Sequence, residues 1–140
     1  WAEGIGEILT PVELEEAWFL VITPPCNVST ALIFSDPELT RDHPPITIRG
    51  FLAGNGRNDC EPVTRRRYPP VEEVFQWLAQ HGVARMSGTG ASVFVTFATQ
   101  AEAEAVYNTL PQGWQGFVAQ GKNESALRRL MDSIEAPDKA

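Results

Sequence analysis

Two rhythms of apolar residues run along the chain. Trp18-Phe-Leu-Val-Ile22 is a continuous apolar run closed by Pro24-Pro25, and its length and aromatic, β-branched content predict a strand buried on both faces. Val93, Val95 and Phe97 alternate with Ser92, Phe94 and Thr96, a second strand; Val83–Met86 is a short candidate and Gln115–Gln120 the last strand. The helical rhythm is clearest at Val71, Val74, Phe75 and Leu78, which keep i, i+3, i+4, i+7 spacing after Pro70 and before a closing Gly82. Asn58 and Glu61 stand in capping-box register and open an earlier helix that Pro69-Pro70 must end near Tyr68. Thr99 and Glu102 form a second such box, with Ala103, Val106, Tyr107 and Leu110 on one face. Shorter helices are expected around Thr30–Phe34 and Thr47–Leu52, between prolines and glycines.

The order is therefore strand, helices, strand, strand, helix, strand. It predicts an α+β fold, a ferredoxin-like split βαβ sandwich with an enlarged first crossover. Residues 1–123 form the expected domain. Leu127, Leu130, Met131 and Ile134 restore helical spacing in an amphipathic tail, residues 124–140, whose end from Glu135 reads as frayed. With 140 residues there is room for one core and not for two. No apolar run reaches the roughly 18 residues of a membrane span, so no membrane partner is expected. The chain opens at Trp1 with neither Met nor a leader, as expected of a fragment or a processed product.

Charge narrows the partners. Residues 1–40 hold seven acids and no Lys or Arg, residues 41–67 six Arg and three acids, and residues 68–140 five bases and eight acids. A net charge of −7 repels phosphate backbones over most of the surface, so no nucleic acid is expected. Arg65–Arg67 read as a solvated helix face, with a local anion site as the alternative. Cys26 and Cys60 lack CxxC spacing, His43 and His81 are isolated, and Glu13, Glu15 and Glu16 read as an exposed acidic loop. These features give neither a metal site nor a nucleophile–base set, and they suit a reducing, cytoplasmic compartment.

Ser87-Gly88-Thr89-Gly90-Ala91 is the most informative stretch. Its glycines permit positive φ and let consecutive N–H groups cradle an anion. A tight turn between two strands uses glycine for the same reason, and no Gly-Lys-Ser/Thr follows as in a Walker loop.

Several motifs in order add weight. Gly4-Ile-Gly-Glu-Ile-Leu-Thr-Pro11, Pro24-Pro25 with Val28-Ser-Thr-Ala-Leu-Ile-Phe34, Asn58-Asp-Cys-Glu61, Ala84–Phe94 and Gly116-Phe-Val-Ala119 together resemble the C-terminal half of GHMP kinases. The likeness runs to about Asn123 and is nearest to the branch that phosphorylates a cytidine-diphosphate polyol in isoprenoid precursor biosynthesis. It implies that Ser87, Gly88, Thr89, Gly90 and Ala91 support the phosphate site, and that Thr30 and Phe34 bind substrate, the ring lying against the cytosine. It also implies ATP and Mg²⁺ for an intact enzyme. The family's near-N-terminal Lys, its long glycine-rich motif and its catalytic Asp have no counterpart in this chain. The resemblance assigns them to a missing N-terminal ATP-binding domain, so no catalytic residue and no bound cofactor are expected in the fragment, which should be inactive alone and weakly self-associating. Ser125-Ala-Leu-Arg-Arg129 departs from the family's Ser-Pro-Leu-His ending. The alternatives are a homoserine- or mevalonate-type GHMP kinase, or a non-catalytic ferredoxin-like module that binds a ligand or a protein.

Overall fold

A computed structural model describes residues 1–135 of the chain. In chain order its elements are β1 (Ala2–Glu3), β2 (Ile8–Leu9), β3 (Trp18–Thr23), α1 (Thr30–Phe34) and α2 (Ile48–Gly50), which continues into an irregular turn at Phe51–Asn55. Then come α3 (Cys60–Arg67), α4 (Pro69–Leu78), β4 (Arg85–Met86), β5 (Val93–Phe97), α5 (Gln100–Tyr107), β6 (Gln115–Gln120) and α6 (Ala126–Glu135). They fall into two compact units, residues 17–120 and residues 1–16 with those from 121 onward.

The larger unit is mixed α/β. Its sheet has the order β4-β5-β3-β6, and every neighbouring pair is antiparallel. Register follows the hydrophobic pattern, since a one-residue slip would turn each side chain to the opposite face. Leu20 lies opposite Val95 and Val118, and Ile22 opposite Val93 and Gly116. Leu20, Ile22, Val93 and Val95 are buried against Val71, Val74, Phe75 and Leu78 of α4, with Ala103 and Val106 of α5 on the same sheet face. Each such aliphatic side chain contributes about 1.5–3 kcal/mol through burial. A second small core of Ile33, Leu39 and Val63 joins α1 to α3.

Four local expectations change. The strand at Trp18 is buried on one face only, because both helices cover the same side of the sheet; Phe19, Val21, Phe94 and Phe117 occupy the other, where Phe117 is 56% exposed. Helix α4 ends at Leu78 rather than at Gly82, whose glycine meets a packing need: a Cβ there would lie 2.8 Å from Val95 Cγ1. Val83 is exposed and the strand begins only at Arg85. Tyr107 is exposed too, because Ala103 and Val106 already face the sheet and Tyr107 sits a further 100° around the helix.

In the smaller unit β1 pairs with β2, and Asn123 bridges to Leu14: its amide donates to the Leu14 carbonyl at 2.7 Å and its Oδ1 accepts from the Leu14 N–H at 2.9 Å. Lys122 and the Asn123 N–H both bond the Glu16 carboxylate, Lys122 first among the causes that hold Glu16 below its usual pKa. Leu127, Leu130, Met131 and Ile134 of α6 are exposed. The expected frayed end, apart from Glu135 in α6, lies outside the described residues. No described helix is long and apolar enough to cross a membrane.

Candidate functional site

Helix α1 has only five residues, so its own hydrogen bonds cannot hold it and its position comes from its surroundings. Ser29 caps it, its hydroxyl accepting from the Leu32 N–H, while the Ser29 N–H donates to the Tyr68 hydroxyl at 3.1 Å. Ile33 is its buried anchor. At the other end the Arg41 guanidinium donates to the carbonyls of Phe34 (2.7 Å), Asp36 (3.0 Å) and Leu39 (2.9 Å). Asp36 is 2% exposed and accepts from Arg66 at 3.1 Å, from Arg67, and from the Glu38 N–H at 2.8 Å. That N–H, followed by the Arg67 and Arg66 guanidinium groups, holds the Asp36 carboxyl below its ordinary range against the opposing effect of burial.

Arg66 and Arg67 are exposed, as a solvated face should be, but Arg65–Arg67 are all engaged by carboxylates and form no free anion site. Arg66 and Arg67 tie α3 to the end of α1, and Arg66 also pairs with Glu38. Arg65 lies over the Phe75 ring and bonds Glu61 at 3.2 Å and Glu72 at 2.5 Å, and its bond to Glu72 lowers that carboxyl's pKa.

The consequence for Phe34 is plain. It is 58% exposed at the end of a short, well-anchored helix, so its ring belongs to no core. Thr30 sits four residues earlier, one turn away on the same face.

The glycine loop turns tightly between β4 and β5. The Ser87 N–H donates to the Ser92 carbonyl and the Gly90 N–H to the Ser87 carbonyl, each at 3.0 Å. Gly88 has φ +55° and Gly90 φ +96°, conformations that L side chains rarely adopt. Crowding adds to this at Gly90, where a Cβ would lie 3.0 Å from Met86 Sδ and 3.1 Å from Thr64 Cγ2. Among the described residues the N–H groups of Gly88 and Thr89 have no partner.

Helix α3 holds the loop from behind. The Asn58 amide donates to the carbonyls of Met86 (3.1 Å) and Gly88 (2.7 Å), and the fully buried Thr64 hydroxyl donates to the Thr89 carbonyl (3.0 Å). Asn58 still opens the helix, its Oδ1 accepting from the Cys60 N–H at 3.0 Å, but the other half of the capping box is missing because the Glu61 side chain turns to Arg65. Spacing alone marks neither Thr64 nor Asp36. The two expected site segments do meet, for Thr30 Oγ1 lies 3.0 Å from Thr89 Oγ1.

His43, isolated in sequence, bonds Asp59 at 2.5 Å beside a cleft of about 400 Å³ that Asn58, Arg57 and Arg85 also line. Burial raises the Cys26 and Cys60 pKa values, which keeps both thiols protonated and poorly nucleophilic at neutral pH. Among the described residues no three His, Cys, Asp or Glu side chains converge as metal ligands.

A glycine loop braced by one helix and bonded to a second that presents an exposed aromatic ring is set in a mixed α/β domain with a four-stranded antiparallel sheet. The chain belongs to the GHMP kinase family: residues 42–116 match its C-terminal domain, "GHMP kinases C terminal". It is similar to the 4-diphosphocytidyl-2-C-methyl-D-erythritol kinase of Ectopseudomonas mendocina, at 52% identity over 96% of this chain and 46% of the relative. It is likewise similar to the proteins of the same name from Nitrosococcus oceani (52% identity, 96% of this chain, 47% of the relative) and Alkalilimnicola ehrlichii (50%, 99% and 48%). The chain spans about half the length of these curated relatives.

Proposed function

We propose that this chain is the substrate-side, C-terminal half of a cytoplasmic kinase that transfers the γ-phosphoryl group of ATP to the 2-hydroxyl of 4-diphosphocytidyl-2-C-methyl-D-erythritol, in isoprenoid precursor biosynthesis. The observation that carries the reading is the exposed Phe34 ring, on a helix whose Thr30 is bonded to the glycine loop. A flat, exposed ring stacks on a base, and the free N–H groups of Gly88 and Thr89 donate to phosphate oxygens, so one ligand with both parts suits the pair. The names of the relatives point to the same ligand class.

Ser87–Ala91 supports the phosphate site, while Thr30 and Phe34 hold the cytidine substrate. Phosphoryl transfer rests on positioning and on neutralising charge with Mg²⁺, which ATP brings with it. The cationic side chains of α3 are engaged in ion pairs, so the remaining machinery belongs to an N-terminal ATP-binding domain. The half-exposed aromatic sheet face around Phe117 suits docking of another domain or weak self-association. Strand order and antiparallel pairing support a ferredoxin-like split βαβ sandwich for the domain, with residues 124–140 as an appended tail.

Calorimetric titration of the purified chain tests the reading. Cytidine diphosphate nucleotides should bind, and ATP should bind no better than in the millimolar range. ATP binding in the micromolar range, or indifference to cytidine nucleotides beside affinity for homoserine or mevalonate, would overturn it.

A further inference from the structure

Thr89 occupies an unusual position in the glycine loop, because its carbonyl and its hydroxyl are both engaged by side chains from outside the loop. Its carbonyl accepts from Thr64, which is fully buried and cannot swing away, and its hydroxyl meets that of Thr30 at 3.0 Å. A threonine hydroxyl has one proton and two lone pairs. In a Thr–Thr pair one proton is spent between the two oxygens, so the donor or acceptor left on Thr30 depends on Thr89. Threonine in a helix also has two accessible χ1 wells, and a bond to a fixed partner selects one.

We infer that Thr89 is a positioning residue for substrate: through its hydroxyl, the glycine loop sets the rotamer and the free hydrogen-bonding capacity that Thr30 offers to the cytidine diphosphate ligand. The inference rests on the functional reading above and extends it, since it assigns the loop a part in substrate recognition besides its support of the phosphates. Phe34, anchored through Arg41 and Asp36, lies outside this link and keeps its stacking role when the link is broken.

A double-mutant cycle in the full-length kinase carrying this chain tests the link, with Thr30→Val, Thr89→Val, the double variant and Thr89→Ser. Thr89→Val should raise KM for the cytidine substrate roughly 3- to 10-fold, the net effect of one hydrogen bond. The double variant should be no worse than Thr30→Val alone, and Thr89→Ser, which keeps the hydroxyl, should restore KM to within about twofold of wild type. A general loss of stability would not be rescued by serine. If Thr89→Val does not fold, Thr89→Ala removes the same hydroxyl and carries the same expectation. Effects that multiply in the double variant, or an unchanged KM in Thr89→Val, overturn the link while leaving the kinase reading intact. A wild-type enzyme that ignores the cytidine substrate overturns both.

Discussion

Phe34 carries the recognition half of the account, and its exposure separates function from stability. Truncating an exposed side chain changes stability by about 0.5 kcal/mol or less, whereas losing a base-stacking platform costs about 1–3 kcal/mol of binding. In the full-length kinase Phe34→Ala should therefore raise KM for the cytidine substrate roughly 5- to 150-fold, with a smaller change for ATP and an unaltered melting temperature. Equal weakening toward both substrates would show that the ring does something else. Asp36 is the opposite kind of residue, buried and structural. Its folded pKa lies below the ordinary value of 3.8, so its ion pairs stabilise fully above that value and lose their effect as pH falls through it toward the depressed folded one. Asp36→Asn should lower the melting temperature at neutral pH and flatten its fall on the acid side. Thermal melts across that range check both, and an undiminished acid slope would contradict the role given to Asp36.

Among the elements, those with complete periodic signals were legible and those held by distant partners were not. Helices α4 and α5 and strands β5 and β6 follow from apolar spacing and from the Thr99–Glu102 box, which is present with both of its hydrogen bonds. Asn58 shows the limit of such reading: the residue that suits a cap also suits a bridge, and its amide goes to carbonyls 28 and 30 positions away. The Arg65–Arg67 run has the same ambiguity, because a partner such as Asp36 lies about 30 residues upstream where no local pattern reaches. Of the site, the glycine loop stood out by its own glycines and gained its role from resemblance to a family, Thr30 and Phe34 came from that resemblance alone, and Thr64 and Asp36 needed the fold. The bracing of the loop by α3 is open to test. Thr64→Val leaves the Thr89 carbonyl without its partner and should cost about 1–3 kcal/mol in chemical denaturation. Amide exchange should rise first at residues 87–91. Equal exchange across the domain would contradict the brace.

At the scale of the molecule, the described residues leave apolar surface open on the sheet face with Phe117 and along the α6 stripe of Leu127, Leu130, Met131 and Ile134. Because the stripe is exposed, deleting residues 124–140 should reduce self-association in sedimentation and leave the melting temperature nearly unchanged; a large fall in melting temperature would mean that the stripe packs within the molecule. The central claim concerns division of labour, in which this half shapes the substrate cleft and the other half handles ATP. Phosphoryl transfer from labelled ATP, measured side by side for the 140-residue chain and for the full-length protein with cytidine-diphosphate, homoserine and mevalonate acceptors, tests it most directly. The account predicts transfer to the 2-hydroxyl of the cytidine-diphosphate polyol by the full-length protein and none above background by the chain alone. Turnover by the isolated chain that disappears on substitution within Ser87–Ala91, or a full-length protein that prefers another acceptor, would contradict it.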